Sequence, residues 1–195
     1  MLLVGGFADS ALLQKEIKSE FSRNFRVLIP NNAAIAVVQG AVMFGKTPSK
    51  ITERVLRTTY GAAFTRDFIQ SVHREEKKFV VDGIEKCDDL FNLFVRENAT
   101  VRTGQKITSN YTLLRQTDIN IHFSFYAASH PDAEYVTDPG MTKIGSVVVQ
   151  SPDTWRGKDR EIEVSMYFGR TEITATAIDV SRGNVARAIL DFIHS

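Results

Sequence analysis

The chain has 195 residues, of which 43% are hydrophobic and 24% are charged, a composition typical of a globular protein with a buried core. Its 24 Lys and Arg nearly balance its 23 Asp and Glu, and the net charge of +1 gives no electrostatic reason to expect nucleic acid or an anionic membrane as a partner. No apolar run approaches the roughly 20 residues of a membrane-spanning helix. The sequence also lacks zinc-ligand spacing, a phosphate-binding loop and a nucleophile elbow.

The first fifty residues predict an α/β segment. The apolar run Leu2-Leu3-Val4 is typical of a buried strand, and the Gly5-Gly6 pair that follows allows a sharp turn. Asp9 or Ser10 then caps a helix whose apolar residues recur on one face.

A second strand and a second helix follow in this segment. The strand runs from Arg26 to Ile29 and ends at Pro30. Asn31 or Asn32 is expected to cap the helix, which is rich in small residues and runs to about Phe44.

The strand, the glycine pair and the helix N-terminus together form a pattern that suits an anion or a nucleotide. Glycines let the backbone approach a ligand closely, and the amides at a helix N-terminus favour negative charge. Ordinary turn chemistry produces the same pattern, so both interpretations remain open.

From about residue 51 the pattern changes to short strands. The stretch ERVLRTTYGAAFT predicts a strand interrupted at Gly61, and Asp82-Gly83 predicts a tight turn. Asp88 or Asp89 is expected to cap a short helical turn, which holds the apolar residues Leu90, Phe91 and Phe94.

The remaining strands alternate apolar and polar residues. The alternation predicts core positions on one face of INIHFSFYA and on both arms of a hairpin that turns near Gly169-Arg170. His122 lies on the opposite face, which favours a surface or cross-strand role over that of a base. Strands at this spacing predict an antiparallel sandwich, while the final NVARAILDFIHS fits either a strand or a helix. The expected core residues are Ile119, Ile121, Phe123, Phe125, Ile162, Val164, Met166, Phe168, Ile173, Ala175 and Ala177.

Several of these stretches, in this order, resemble the 70-kDa heat-shock protein family. LLVGGFADSALLQKEI resembles its adenosine motif, AAIAVVQGAVMFG resembles the helix that ends its nucleotide-binding domain, and RENATVRTGQKIT and INIHFSF are similar to parts of its substrate-binding sandwich. VGGFADS, TYGAAF, YVTDPG and FGRTEITATAIDVS resemble the divergent heat shock 70 kDa protein 12 branch.

The resemblance implies an α+β fold in two parts. Residues 1–50 would be the C-terminal piece of an actin-like nucleotide-binding domain. Residues 51–195 would be a substrate-binding β-sandwich-like domain with an insertion at about 66–97. The first strand would then be the late part of a larger lobe, with Met1 beginning a truncated chain or a shortened gene product.

The same resemblance implies a nucleotide site, with departures. ATP or ADP would bind the complete parent protein, and Gly5, Gly6, Phe7 and Asp9 would lie at the adenosine. Phe7 and Asp9 stand where common members carry a serine and a base-stacking arginine, and Asn31-Asn32 replaces an Asp-Glu pair. The family's phosphate, magnesium and catalytic elements lie upstream of the matching region. We therefore expect this chain alone to hydrolyse no ATP and to bind no nucleotide tightly.

By the same resemblance, the sandwich would bind extended apolar peptide segments or a protein partner as a chaperone-family module. Ala62, Ile107, Ile119 and Ile121 are the candidate contacts, although each also fits an ordinary core position. An adenine-nucleotide-binding ATPase module is one alternative.

A regulatory interaction domain without chaperone activity is another alternative, using Phe79, Ile84, Leu90 and Phe94 of the insertion. Neither nucleic acid nor a membrane is expected as a partner, and exposed strand edges suggest possible self-association. The single cysteine, Cys87, and the absence of a leader pattern predict a cytoplasmic protein.

Overall fold

The computed structural model describes residues 1–130, 132–169 and 172–190. The chain divides into two compact units, Met1–Thr52 and Glu53–Ser195. The fold is α+β and rich in antiparallel sheet, as the sequence predicts.

The elements are short, and most of them are strands. In chain order they are α1 (Ala11–Phe21), α2 (Ala36–Lys46), β1 (Glu53–Val55), β2 (Thr59–Asp67), β3 (Lys78–Val81), β4 (Ile84–Val95), β5 (Thr100–Arg102), β6 (Gln105–Thr112), β7 (Asn120–Ala128), β8 (Met141–Gln150), β9 (Glu161–Phe168), β10 (Ile173–Asp179) and β11 (Val185–Leu190). Three 3₁₀-helices lie at Pro48–Lys50, Glu75–Lys77 and Thr154–Asp159. Among the described helices, none has the length and apolarity needed to cross a membrane.

In the first unit the predicted strands are reduced to one parallel bridge, between Leu2 and Leu28. The Ser10 side chain caps α1 by accepting a hydrogen bond from the Leu13 N–H (3.4 Å), so Ser10 rather than Asp9 is the cap. The expected asparagine cap of α2 is wrong. Residues 31–35 form turns, and the N-cap is Ile35, whose side chain makes no capping hydrogen bond.

The second unit is the predicted antiparallel sandwich. One sheet has the strand order β3-β4-β2-β7-β8, the other has β11-β10-β9-β6, and β1 pairs with β5. The inward residues of both sheets share one apolar core, because strand residues alternate between the two faces. The β9–β10 core positions are confirmed: Ile162, Val164, Met166, Phe168, Ile173, Ala175 and Ala177 are at most 1% exposed.

The hairpin and turn predictions have mixed outcomes. β9 pairs antiparallel with β10, although Arg170 of the expected turn lies outside the described residues. Asp82 (φ 51°) and Gly83 (φ 77°) form the predicted tight turn between β3 and β4. The ambiguous C-terminal stretch forms strand β11 as far as Leu190, and residues 191–195 lie outside the described part of the chain.

The predicted helical turn after Asp88-Asp89 is wrong, since β4 runs without a break from Ile84 to Val95. The register between β2 and β4 shifts between Phe64 and Arg66, and Asp89 has a positive φ of 58° beside that shift. The two aspartates therefore accommodate a β-bulge rather than cap a helix.

The predicted interruption at Gly61 is a shift of register and not a break in the strand: β2 continues through Gly61, its pairing with β4 shifts between Tyr60 and Gly61, and the break before β2 falls at residues 56–58. A Cβ on Gly61 would lie 2.3 Å from the Asn92 carbonyl oxygen and 2.6 Å from the Phe91 ring. Glycine is needed there because β2 and β4 approach each other closely.

Candidate functional site

The most distinctive feature of the sandwich is a split between two neighbouring strands. β2 pairs with β7 only from Thr59↔Ala128 to Ala62↔Phe125, although both strands continue beyond that point. Between the diverging strands lies an open groove of about 430 Å³. It is lined by Ala63, Phe64, Thr65, Lys86, Asp88, Tyr111, Thr112, Leu113, Leu114, Asp118, Asn120, Ile121, His122, Phe123 and Ser124.

One wall of the groove is a strand edge. The Ser151 N–H donates to the Ile119 carbonyl (2.7 Å), so Ile119 and Ser151 form a hydrogen-bonded pair at the end of the β7–β8 ladder. This pair shows which residues of β7 direct their backbone groups to β8 and which direct them to the opposite side. In an antiparallel ladder the bonded pairs alternate, so Ile121 and Phe123 bond to β8 and the backbone groups of His122 point away from it. Within the described pairing, β2 does not reach His122. The backbone N–H and C=O of His122 are therefore directed to the groove side.

Two aromatic rings line the groove, and one of them is hydrogen-bonded through its hydroxyl. The Tyr111 and Phe123 rings lie 5.2 Å apart between centroids. The Asn92 side-chain amide donates to the Tyr111 hydroxyl (2.6 Å) and to the Ser109 hydroxyl (2.9 Å). Burial raises the pKa of Tyr111, although the side-chain hydrogen bonds of its hydroxyl with Asn92 and with Ser109 act to lower it. Tyr111 therefore presents a neutral, oriented ring.

Charged groups bound the side of the groove formed by β2 and β4. The Thr65 hydroxyl donates to an Asp88 carboxylate oxygen (2.8 Å), and Lys86 Nζ lies 2.5 Å from Asp67 Oδ1. The hydrogen bond from Lys86 lowers the pKa of Asp67, so the Asp67 carboxyl group is ionised at neutral pH.

The β3–β4 hairpin is joined to the loop before β9. Lys158 Nζ lies 2.9 Å from Asp82 Oδ2 at the hairpin tip, and the hydrogen bond from Lys158 lowers the pKa of Asp82. β4 supplies Lys86 and Asp88 to the groove, so this ion pair connects the groove-bearing hairpin to the 3₁₀-helix Thr154–Asp159.

The structure separates the four predicted peptide contacts. Ala62 is completely buried in the sandwich core, and Ile107 is partly buried against the same core. Ile119 is 47% exposed just before β7, and among the four only Ile121 lines the groove.

Sequence reasoning missed most of the groove-lining residues. Ala63, Phe64 and Phe123 lie beside predicted residues, in the quoted stretches TYGAAF and INIHFSF. Leu113 and Leu114 lie in the loop after β6, where no periodic pattern marks them. Local alternation identifies strands but does not show where two strands cease to pair.

The predicted nucleotide contacts lie together in the turn that precedes α1. Gly5 has a φ of +109° and its N–H donates to the Ala33 carbonyl (2.8 Å), while its own carbonyl accepts from the Ala8 N–H (2.8 Å). Phe7 is 74% exposed, Asp9 is also exposed, and a Cβ on Gly5 or Gly6 would meet no atom within 4 Å. The turn thus offers an open backbone and an exposed aromatic ring.

The residues considered for an interaction surface are divided between core and surface. Leu90 and Phe94 are buried, Phe79 is half-buried, and Ile84 is 48% exposed. Exposed apolar side chains nearby in sequence are Ile69, Val72 and Val80. In the described part of the chain, no three His, Cys, Asp or Glu side chains are grouped to hold a metal ion.

Comparison with known proteins gives one consistent relationship. The chain is 32% identical over 197 aligned residues to heat shock 70 kDa protein 12A of Mus musculus, and equally so to that of Homo sapiens. It is 34% identical over 202 aligned residues to human heat shock 70 kDa protein 12B. These alignments cover 99–100% of this chain but only 29% of each relative. No family model matches the chain.

Proposed function

Because this chain belongs, by a relationship along its whole length, to the heat shock 70 kDa protein 12 branch, we propose that its sandwich is a peptide-binding module of the chaperone type. The occupant is an extended apolar segment of an unfolded or partner protein, which lies in the groove between β2 and β7. ATP or ADP binding and any hydrolysis belong to the complete protein, and this chain alone is not an enzyme. We place the protein in the cytoplasm.

The observation that carries this proposal is the end of β2–β7 pairing at Ala62 and Phe125. An extended peptide adds to a free strand edge through main-chain hydrogen bonds, and side-chain pockets supply its preference. The backbone of His122 supplies such an edge, and Ile121, Phe123 and Leu113 supply apolar lining beside it. The groove therefore suits an extended chain with apolar side chains.

A labelled Leu-rich peptide titrated with the full chain tests this function by fluorescence anisotropy. We expect saturable binding that does not change with saturating ATP. The matched control peptide carries N-methyl groups on alternate backbone amides, which removes hydrogen-bond donors while retaining the side chains. Equal binding of the two peptides would contradict edge pairing, and no binding up to high micromolar protein would overturn the proposed function.

A pair of isoleucine variants locates the binding site. Ile121→Asn replaces an apolar residue of the groove lining by an amide and should weaken binding by about tenfold, since a polar group that the peptide buries without a partner costs about 1–3 kcal/mol. Ile189→Asn is the control, because Ile189 is 67% exposed on β11 of the other sheet. Equal affinities of the two variants, with unchanged unfolding midpoints, would place the peptide elsewhere.

The exposed apolar side chains of Ile69, Val72, Val80 and Ile84 favour a second candidate, a protein-interaction domain without chaperone activity.

A third candidate is weak adenosine contact at Gly5, Gly6, Phe7 and Asp9. It is supported by the open turn and the exposed Phe7 ring, and ATP titration monitored by the amide signals of Gly5 and Gly6 tests it.

β6 pairs only with β9 in the described strand order, so self-association through its free edge is a further proposal, tested by sedimentation.

A further inference from the structure

Arg160 is a buried cation between the 3₁₀-helix Thr154–Asp159 and β9. Its exposed fraction is 1%, and no ion pair between described residues includes it. Buried arginines are ordinarily paired with a carboxylate, because removing a charge from water is costly. The unusual surroundings of Arg160 therefore require a different compensation.

Backbone carbonyls supply that compensation. Arg160 Nη2 donates to the Gln116 carbonyl (2.7 Å), and Nη1 donates to the carbonyls of Asp118 (2.8 Å) and Ser151. Arg160 Nε donates to the Gly157 carbonyl (3.0 Å). The planar guanidinium spreads five N–H donors over three nitrogens and so reaches all four carbonyls, whereas lysine has three donors on a single nitrogen.

Two of these carbonyls belong to the β6–β7 loop, residues 113–119. The loop contributes Leu113, Leu114 and Asp118 to the groove wall. Its carbonyls at Gln116 and Asp118 lie outside any sheet ladder, and Arg160 is their side-chain partner. The Ser151 N–H fixes the end of the same loop through the Ile119 carbonyl.

We propose that Arg160 is a positioning residue, which holds the β6–β7 loop in the conformation that forms one wall of the groove. It does not line the groove itself. A preformed wall reduces the ordering cost of binding, so Arg160 raises peptide affinity indirectly. The peptide part of this inference rests on the proposed function, whereas the loop part does not.

Hydrogen–deuterium exchange of the full chain tests the loop part without a peptide. We expect Arg160→Lys to accelerate exchange about tenfold within residues 113–121, with little change in β9 and β10. Arg160→Gln is the second variant. The lysine of Arg160→Lys would be a buried charge with fewer hydrogen bonds, whereas glutamine is neutral and its burial disfavours folding less. The control is Arg187→Lys, the same change at an exposed position on β11.

Peptide titration of the same variants completes the test. Arg160→Lys and Arg160→Gln should each weaken binding about tenfold, while Arg187→Lys stays within twofold of the unchanged chain. Unchanged exchange in 113–121 in a variant that unfolds cooperatively would overturn the proposal, as would acceleration spread equally through β9 and β10. If the unchanged chain binds no peptide, the proposed function fails while the exchange result still decides the role of Arg160.

Discussion

The two units of the chain use their apolar residues in different ways. Every residue of Met1–Thr52 is described, and only Ala8 and Ala33 are buried there, while neither α1 nor α2 buries a residue. The second unit contains all the apolar clusters of the described chain. Apolar periodicity thus produces helices in one unit and a packed core in the other. A helical pattern alone does not supply a surface against which the helix can pack.

The largest test of this comparison removes one phenylalanine ring from each unit. Phe168 is 0% exposed, and its ring lies edge-on to the Tyr60 ring with 6.4 Å between the two centroids. Phe168→Ala should therefore lower the free energy of unfolding by about 3–5 kcal/mol. Phe7→Ala, at a 74% exposed ring, should change it by less than about 0.5 kcal/mol. Chemical denaturation measures both, and similar costs would show that the first unit has a core of its own.

A smaller effect is expected from adding one methyl group to a glycine in each unit. Gly61→Ala places a Cβ against the Asn92 carbonyl and the Phe91 ring, and should cost about 1–3 kcal/mol through overpacking. Gly6→Ala meets no atom within 4 Å and should be neutral within about 0.5 kcal/mol. Thermal unfolding of the two variants decides the point, and a tolerated Gly61→Ala would contradict the close approach of β2 and β4.

The smallest effect is the acid dependence of the loop between β7 and β8. Burial tends to raise the pKa of Asp138, but hydrogen bonds from the N–H groups of Tyr135 and Glu134 and from Arg74 lower it overall. A lowered folded-state pKa gives stability that is present above the unfolded pKa of about 3.9 and is lost as the pH falls through the folded value.

Asp138→Asn should therefore flatten the loss of stability below about pH 4. Denaturation midpoints at pH 7, 5 and 3 measure this, with Asp9→Asn as an exposed control from the first unit. If the denaturation midpoints of Asp138→Asn and of the unchanged chain fall equally between pH 5 and pH 3, Asp138 does not contribute to the acid dependence of stability.

Prediction from sequence succeeds here where a residue's neighbours along the chain determine its state. The alternation of Ile162, Val164, Met166 and Phe168 identifies both a strand and its core face, because side chains alternate across a sheet. The family relationship could also be read from local stretches such as VGGFADS and YVTDPG. The helical turn at Asp88-Asp89 failed, because a bulge opposite β2 competes with capping as a use for two adjacent aspartates.

By itself, the sequence determined that the second unit is built of antiparallel strands, which residues of β9 and β10 face the core, and the family to which the chain is related. Tertiary structure alone decided where β2 and β7 separate and which loop forms the wall beside them. It also decided that Arg160 is buried among carbonyls contributed by residues far from it in sequence. The physical reason is that apolar alternation and turn chemistry act over a few residues. Strand pairing and the compensation of a buried charge depend on groups that only folding brings together.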